Sequence, residues 1–159
     1  MTLEAFKKVL DAIAPVDREA MDRAKKRQAE LAKPPGSLGK LEDMSIRLAG
    51  ITGQVCNQLE NCRILVFAAD NGVIAEGVSS SPESVTLSQA VNMTRHITGM
   101  SALAKYFGNS VVVADVGINA EVRCPAVLDR KIRRSTRNLA KEPALTRQEV
   151  LDAMEVGLD

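Results

Sequence analysis

Ile64-Leu65-Val66-Phe67-Ala68-Ala69-Asp70-Asn71-Gly72-Val73 is the stretch on which the fold turns. Its first four residues form a short continuous apolar run, the pattern of a buried strand. Asp-Asn-Gly then ends the strand with turn chemistry. Ser81-Pro82 follows and opens a long amphipathic helix carrying Gln89, Asn92 and His96. A buried strand that ends in polar residues, followed by a polar-faced helix, is how an open α/β sheet builds a small-molecule site outside its carboxyl edge.

Downstream, Ser81 is expected to cap this helix and Pro82 to occupy its first position, where a missing N–H costs nothing. Val85, Gln89, Asn92 and His96 recur at three- and four-residue spacings on one side, and Leu87, Ala90, Val91 and Thr94 on the other. Gly99 interrupts the pattern. Met100, Leu103, Ala104 and Phe107 continue it, as a second helix or after a kink, until Gly108-Asn109. Val111-Val112-Val113-Ala114-Asp115-Val116 reads as a second buried strand parallel to the first, with the helical segment as crossover. Thr146-Arg147-Gln148-Glu149 is a capping box for a final helix.

Upstream, residues 3–13 read as a helix with Phe6, Val9, Leu10 and Ile13 as its apolar stripe, ended by Pro15. Asp17 caps a second helix running to about Leu31, whose buried line is only Met21, Ala24 and Leu31. Pro34-Pro35-Gly36 breaks it. A third helix from about Leu41 places Leu41, Ile46, Leu48 and Ile51 on or near one side. Two parallel strands are a fragment of a sheet whose edges need covering. The natural protein is therefore expected to continue past Asp159, the alternative being a naturally short α/β protein.

Bulk properties narrow the function classes. At 159 residues, 45% apolar and 26% charged, the chain has the composition of an ordinary globular domain. A net charge of +1 and 3% aromatics, with no Trp, argue against nucleic-acid and membrane partners. Cys56, Cys62 and Cys124 are too few for a disulfide framework and read as reduced thiols in a cytoplasmic protein. Met1-Thr2-Leu3-Glu4 does not begin a secretory signal, and no apolar run is long enough for a membrane span.

Each candidate site residue carries a plain reading beside a functional one. Asp70 either orients a ligand hydroxyl or ties its own loop, and Gly72 allows a left-handed conformation or a close backbone approach. Ser81 is most simply a cap, but a cap hydroxyl can also meet a ligand. Gln89 is either an exposed helix residue or an amide that addresses a heteroaromatic ring. His96, the single histidine, is a weak metal candidate. Asp70, Glu76, Glu83 and Asp115 surround the strand ends, but their spacing demands no magnesium. Gly36-Ser37-Leu38-Gly39-Lys40 fails the Walker pattern, and Gly117 is a lone glycine rather than a dinucleotide fingerprint. The run Arg130-Lys131-Ile132-Arg133-Arg134-Ser135-Thr136-Arg137 reads as a solvated face, with contact to a single phosphate or to nucleic acid as rarer alternatives.

Lys33-Pro34-Pro35-Gly36-Ser37-Leu38-Gly39-Lys40-Leu41-Glu42, Ala69-Asp70-Asn71-Gly72-Val73, Ser81-Pro82, Val85-Thr86, Gln89 and Asn92-Met93-Thr94 form an ordered series of motifs. Thr98-Gly99, Asp115-Val116-Gly117-Ile118, Arg137-Asn138-Leu139 and Glu142-Pro143-Ala144-Leu145-Thr146-Arg147 extend it. The series resembles the N-terminal part of the nicotinate-nucleotide–dimethylbenzimidazole phosphoribosyltransferase family. The resemblance implies transfer of the phosphoribosyl group from nicotinate mononucleotide to 5,6-dimethylbenzimidazole, giving α-ribazole 5′-phosphate and nicotinate in cobalamin biosynthesis, with no metal or other cofactor. It implies a homodimer with a Rossmann-like α/β domain and a smaller helical domain. Residues 1–31 would supply helices of the small domain, and 32–159 the first part of the α/β domain.

By the same resemblance, Ser81 and Gln89 line the benzimidazole pocket, and Asp70 and Gly72 belong to a supporting loop usually written Asp-His-Gly-Val. Here Asn71 replaces that histidine. The family's catalytic glutamate and phosphate loop lie beyond residue 159, so no catalytic residue is assigned within this chain. The fragment alone is expected to be inactive, or to act as a benzimidazole-binding or assembly module. It is also expected to expose apolar surface, with residues 1–31 least secure.

Overall fold

The computed structural model describes residues 2–60 and 62–158. In chain order the elements are α1 (Leu3–Asp11), α2 (Arg18–Glu30), α3 (Lys40–Thr52), β1 (Arg63–Ala69), a 3-10 helix (Gly72–Glu76), α4 (Ser84–Thr94), α5 (Gly99–Tyr106), β2 (Ser110–Gly117), β3 (Val127–Asp129) and α6 (Arg147–Glu155). They divide into two compact units, one being Lys8–Glu60 and the other taking in the sheet. Among the described residues no helix is long and apolar enough to cross a membrane.

In the helical unit, Asp17 caps α2 as its sequence suggests, its Oδ1 accepting from the Ala20 amide at 2.9 Å. Close approach rather than large apolar area joins α2 to α3. The buried residues are Ala20 and Ala24 on α2 and Ala49 and Gly50 on α3. A methyl group on Gly50 would collide with Met21 Cγ at 2.6 Å. Leu31, expected in the buried line of α2, is exposed instead, as are Leu41 and Ile51 of the apolar side of α3. Small residues let the backbones meet, so dispersion contacts replace bulk. The Pro-Pro-Gly segment closes on Glu42, which accepts from Lys33 Nζ at 2.6 Å and from the Leu38 amide at 3.1 Å. Lys33 and Leu38 together hold the Glu42 carboxyl below its usual pKa.

The sheet unit has three parallel strands in the order β1-β2-β3. Val66 lies opposite Val113, and Val113 opposite Val127. The crossover from β1 to β2 contains two separate helices: Thr98 caps α5 in a reciprocal box with the buried Ser101. Ala90 of α4, Val113, Val127 and Ile118 form the core, with Val66, Leu87, Val111 and Met93 packed around them. Three residues of β3 carry too short an apolar run to register as a strand in sequence, so a two-strand expectation becomes three strands.

Three further expectations are corrected. The strands are buried on one face only: Leu65, Phe67 and Leu128 are 56%, 48% and 47% exposed, on a face that holds an open trench of about 330 Å³. Helix α4 begins at Ser84 rather than at Pro82, because Ser79 engages both ends of Ser81: its Oγ accepts from the Ser81 amide at 3.2 Å and donates to the Ser81 carbonyl at 2.9 Å. Ser81 therefore caps nothing. His96 lies past the end of α4 with φ 59°, its Nδ1 at 3.3 Å from the Ser101 carbonyl.

Candidate functional site

Two buried carboxylates lie at the carboxyl ends of β1 and β2, Asp70 and Asp115. Asp70, 5% exposed, follows β1; its Oδ2 accepts from the Asn119 amide at 2.8 Å, its own amide donates to the Gly117 carbonyl, and its carbonyl accepts from the Thr136 amide. Asp115, 1% exposed, sits on β2 beside a bulge that pairs Ala69 with Gly117. Its Oδ1 accepts from the amides of Gly117 and Ile118 at 3.0 and 2.8 Å, and its Oδ2 from Lys131 Nζ at 2.5 Å. Lys131 also donates to the Ile118 carbonyl at 2.6 Å. A buried charge is tolerated only when paired and hydrogen-bonded, and Asp115 meets both conditions.

A cavity of about 320 Å³ opens beside Asp70. Ala69, Val73, Ile74, Val78 and Val85 supply apolar lining, and Asp70, Asn71, Ser79, Ser81, Glu83 and Thr86 polar groups. Apolar walls with a few convergent polar groups suit a small-molecule ligand. The structure thus brings Asp70 and Ser81 to one cavity. Gln89 is exposed and outside its lining, one helical turn beyond Val85. Gly72 sits between the lining residues Asn71 and Val73, and its role is close approach, since an added Cβ would lie 2.4 Å from the Thr136 carbonyl oxygen. Glu83 accepts from Asn119 Nδ2 at 2.9 Å, which joins the cavity rim to the loop after β2. Among the described residues no group of His, Cys, Asp and Glu is arranged to hold a metal ion.

The basic run at 130–137 is a solvated face only at Arg130 and Arg134. It crosses the carboxyl end of the sheet: the amides of Ile132, Ser135 and Thr136 donate to the carbonyls of Val116, Gly117 and Asp70. Ser135 is buried at φ 55°, and Arg134 and Arg130 are exposed. Arg137 forks onto Glu149 of α6, Nη1 to Oε2 at 2.8 Å and Nη2 to Oε1 at 3.2 Å. Arg133 Nη1 lies 3.5 Å from Glu149 Oε1. Glu149 also accepts from the Thr146 amide at 2.6 Å, completing the expected capping box. The Arg137 guanidinium, then the Thr146 amide, hold the Glu149 carboxyl down at about 2, and Glu149 in turn raises the Arg137 pKa. Sequence reading missed Thr136, Arg137 and Glu149 as neighbours of the site; Thr136 meets Gly72 across 64 positions, and no local pattern encodes that contact.

The family model described as phosphoribosyltransferase matches residues 13–159. The nicotinate-nucleotide–dimethylbenzimidazole phosphoribosyltransferase of Ruminiclostridium cellulolyticum is 43% identical over 154 residues, covering 97% of this chain and 44% of that protein. The enzyme of the same name from Yersinia enterocolitica is 43% identical over 152 residues, covering 96% and 43%. The crystal structure of the Thermus thermophilus enzyme superposes with a TM-score of 0.79 at 39% identity, covering 89% of this chain and 43% of that one. The chain therefore spans less than half the length of the relatives it matches.

Proposed function

The chain belongs to the nicotinate-nucleotide–dimethylbenzimidazole phosphoribosyltransferase family, and from that premise we propose that the whole protein transfers the phosphoribosyl group of nicotinate mononucleotide to 5,6-dimethylbenzimidazole. One observation in this chain carries the reading: the cavity at the end of β1, apolar-walled and polar-rimmed, which contains Asp70 and Ser81. It is the dimethylbenzimidazole side of the site, with Gln89 completing it when the base is bound. A ring nitrogen of the base attacks C1′ of the mononucleotide, the bond from C1′ to nicotinate breaks with inversion, and a carboxylate from the remainder of the protein takes the proton of the incoming base. Holding both substrates in one crevice supplies much of the rate through orientation.

The same reading makes the protein a cytoplasmic homodimer working in nucleotide-loop assembly, without nucleic-acid or membrane partners. In the whole protein, residues 1–31 belong to the small helical domain and 32–159 to the α/β domain. The 159 residues alone form a base-binding part without turnover, a reading favoured by their covering 44% of a relative. The test is a paired assay with nicotinate mononucleotide and dimethylbenzimidazole. The full-length gene product releases nicotinate and loses that activity on Gln89→Ala; the isolated chain binds dimethylbenzimidazole but releases none. A full-length product without nicotinate release refutes the proposed activity, and nicotinate release by the isolated chain that disappears in Gln89→Ala refutes the division of labour.

A further inference from the structure

The reaction proposed above gives the basic run no task, yet three consecutive residues where it ends, Thr136, Arg137 and Asn138, reach two separate elements. Thr136 Oγ1 accepts from the Gly72 amide at 3.0 Å, at the start of the 3-10 helix. Asn138 Nδ2 donates to Glu76 Oε1 at 2.5 Å, at the end of that helix. Arg137, between them, forks onto Glu149 of α6. Its own amide donates to the Ala144 carbonyl at 2.9 Å. Both ends of the 3-10 helix therefore hang on a single short strap, and Arg137 anchors it.

The 3-10 helix and the residues before it form one wall of the cavity through Asp70, Asn71, Val73 and Ile74. Five residues of 3-10 helix have poor internal hydrogen bonding and do not hold a position unaided. The backbone of Arg137 lies directly against Gly72: an added Cβ would sit 2.8 Å from the Arg137 carbonyl carbon and 2.4 Å from the Thr136 carbonyl oxygen, which belongs to the peptide linking Thr136 to Arg137. Any rotation of that peptide is passed to Gly72 by contact. Two parallel N–H···O bonds set the angle of a guanidinium as well as its distance, which a lysine ammonium does not do.

We propose that Arg137 is a positioning residue for the base pocket: its fork onto Glu149 holds the strap against Gly72 and so fixes the wall from Asp70 to Ile74. The inference deepens the proposed function, because it rests on reading that cavity as the benzimidazole site. Arg137 touches no reacting atom. It acts through Thr136 and Gly72.

The experiment compares Arg137→Lys, Glu149→Gln and Arg134→Ala in the 159-residue chain, by hydrogen exchange and by titration with dimethylbenzimidazole. Arg137→Lys keeps the charge and loses the fork. Glu149→Gln loses the ion pair while keeping a residue type that serves a capping box, so α6 retains its start. Arg134 is exposed and removes the same charge from the same run. Both fork variants are expected to speed exchange at residues 72–76 on the order of 10-fold, with α5 and β2 unchanged. They should weaken dimethylbenzimidazole binding on the order of 10-fold, as misplacement of a site wall does. Arg134→Ala should do neither. Exchange at 72–76 that stays as slow as in the unmutated chain overturns the proposal, as does quickening spread equally over α5 and β2, or affinity unmoved by Arg137→Lys. If the unmutated chain takes up no dimethylbenzimidazole, the base-pocket reading falls, and the exchange result alone decides whether Arg137 positions the wall.

Discussion

Gly72→Ala tests the close approach at the strand end. The new methyl carbon would lie 2.4 Å from the Thr136 carbonyl oxygen, with the Arg137 carbonyl carbon at 2.8 Å. These are backbone atoms and cannot swing away as a side chain would. Ordinary contact requires about 3.5 Å, so the strap must retreat by about 1 Å. Two hydrogen bonds then fail, from the Gly72 amide to Thr136 Oγ1 at 3.0 Å and from the Thr136 amide to the Asp70 carbonyl at 3.1 Å. Each contributes about 1 kcal/mol, and overpacking adds roughly 1–3 kcal/mol of strain. The unfolded chain loses some entropy when glycine becomes alanine, which offsets about 0.4–1 kcal/mol. A net loss of about 2–4 kcal/mol follows, or roughly 5–15 °C in the melting midpoint. Gly77→Ala is the matched control: Gly77 has φ +71° and open space around it, so alanine there meets only the left-handed penalty, about 1 kcal/mol. Circular dichroism with thermal and urea denaturation reads both. A Gly72→Ala loss under about 0.5 kcal/mol, or one no larger than that of Gly77→Ala, would refute the close-approach argument.

Two other outcomes follow from particular contacts. Glu149 has its pKa lowered to about 2 from 4.5; a carboxyl with a depressed folded-state pKa contributes stability above its unfolded value and loses it as pH falls toward the folded one. The stability gap between the unmutated chain and Glu149→Gln should therefore be full at pH 6 and shrink between about pH 4.5 and 2 in urea titrations, and a gap independent of pH across that range would contradict the Arg137 pairing. Because Ser81 caps no helix, Ser81→Ala should change stability by less than about 0.5 kcal/mol, whereas Thr98→Ala, which removes a real cap, should cost about 1 kcal/mol. Equal losses from the two in urea denaturation would restore Ser81 as a cap.

The elements legible in sequence are those set by neighbours in the chain. Asp17 and Thr146 are capping residues because a side-chain oxygen two or three residues from a free amide can reach it in any context. The valine run at 111–113 was readable as a strand on its own. Ser81 misled because Ser79, two residues away, competes for its backbone, a contest between two local bonds that propensity does not rank. Five basic residues in a short window signal a solvated face unless acids come from elsewhere; Asp115 and Glu149 do so for Lys131 and Arg137, over separations of 16 and 12 residues.

The sequence by itself determined the alternation of strand and crossover helix, the positions of most helix starts, the family, and the placing of Asp70 at a strand end, because each rests on periodicity, local hydrogen bonds or an ordered set of motifs. Tertiary structure alone decided which groups meet. It put Thr136 against Gly72, left one face of the sheet open at Leu65 and Phe67, and gathered Asp70 and Ser81 around one cavity while keeping Gln89 outside its lining. The physical reason is range. Hydrophobic pattern and capping act over a few residues, whereas the fit between a glycine and a peptide 64 positions away exists only after the chain has closed on itself.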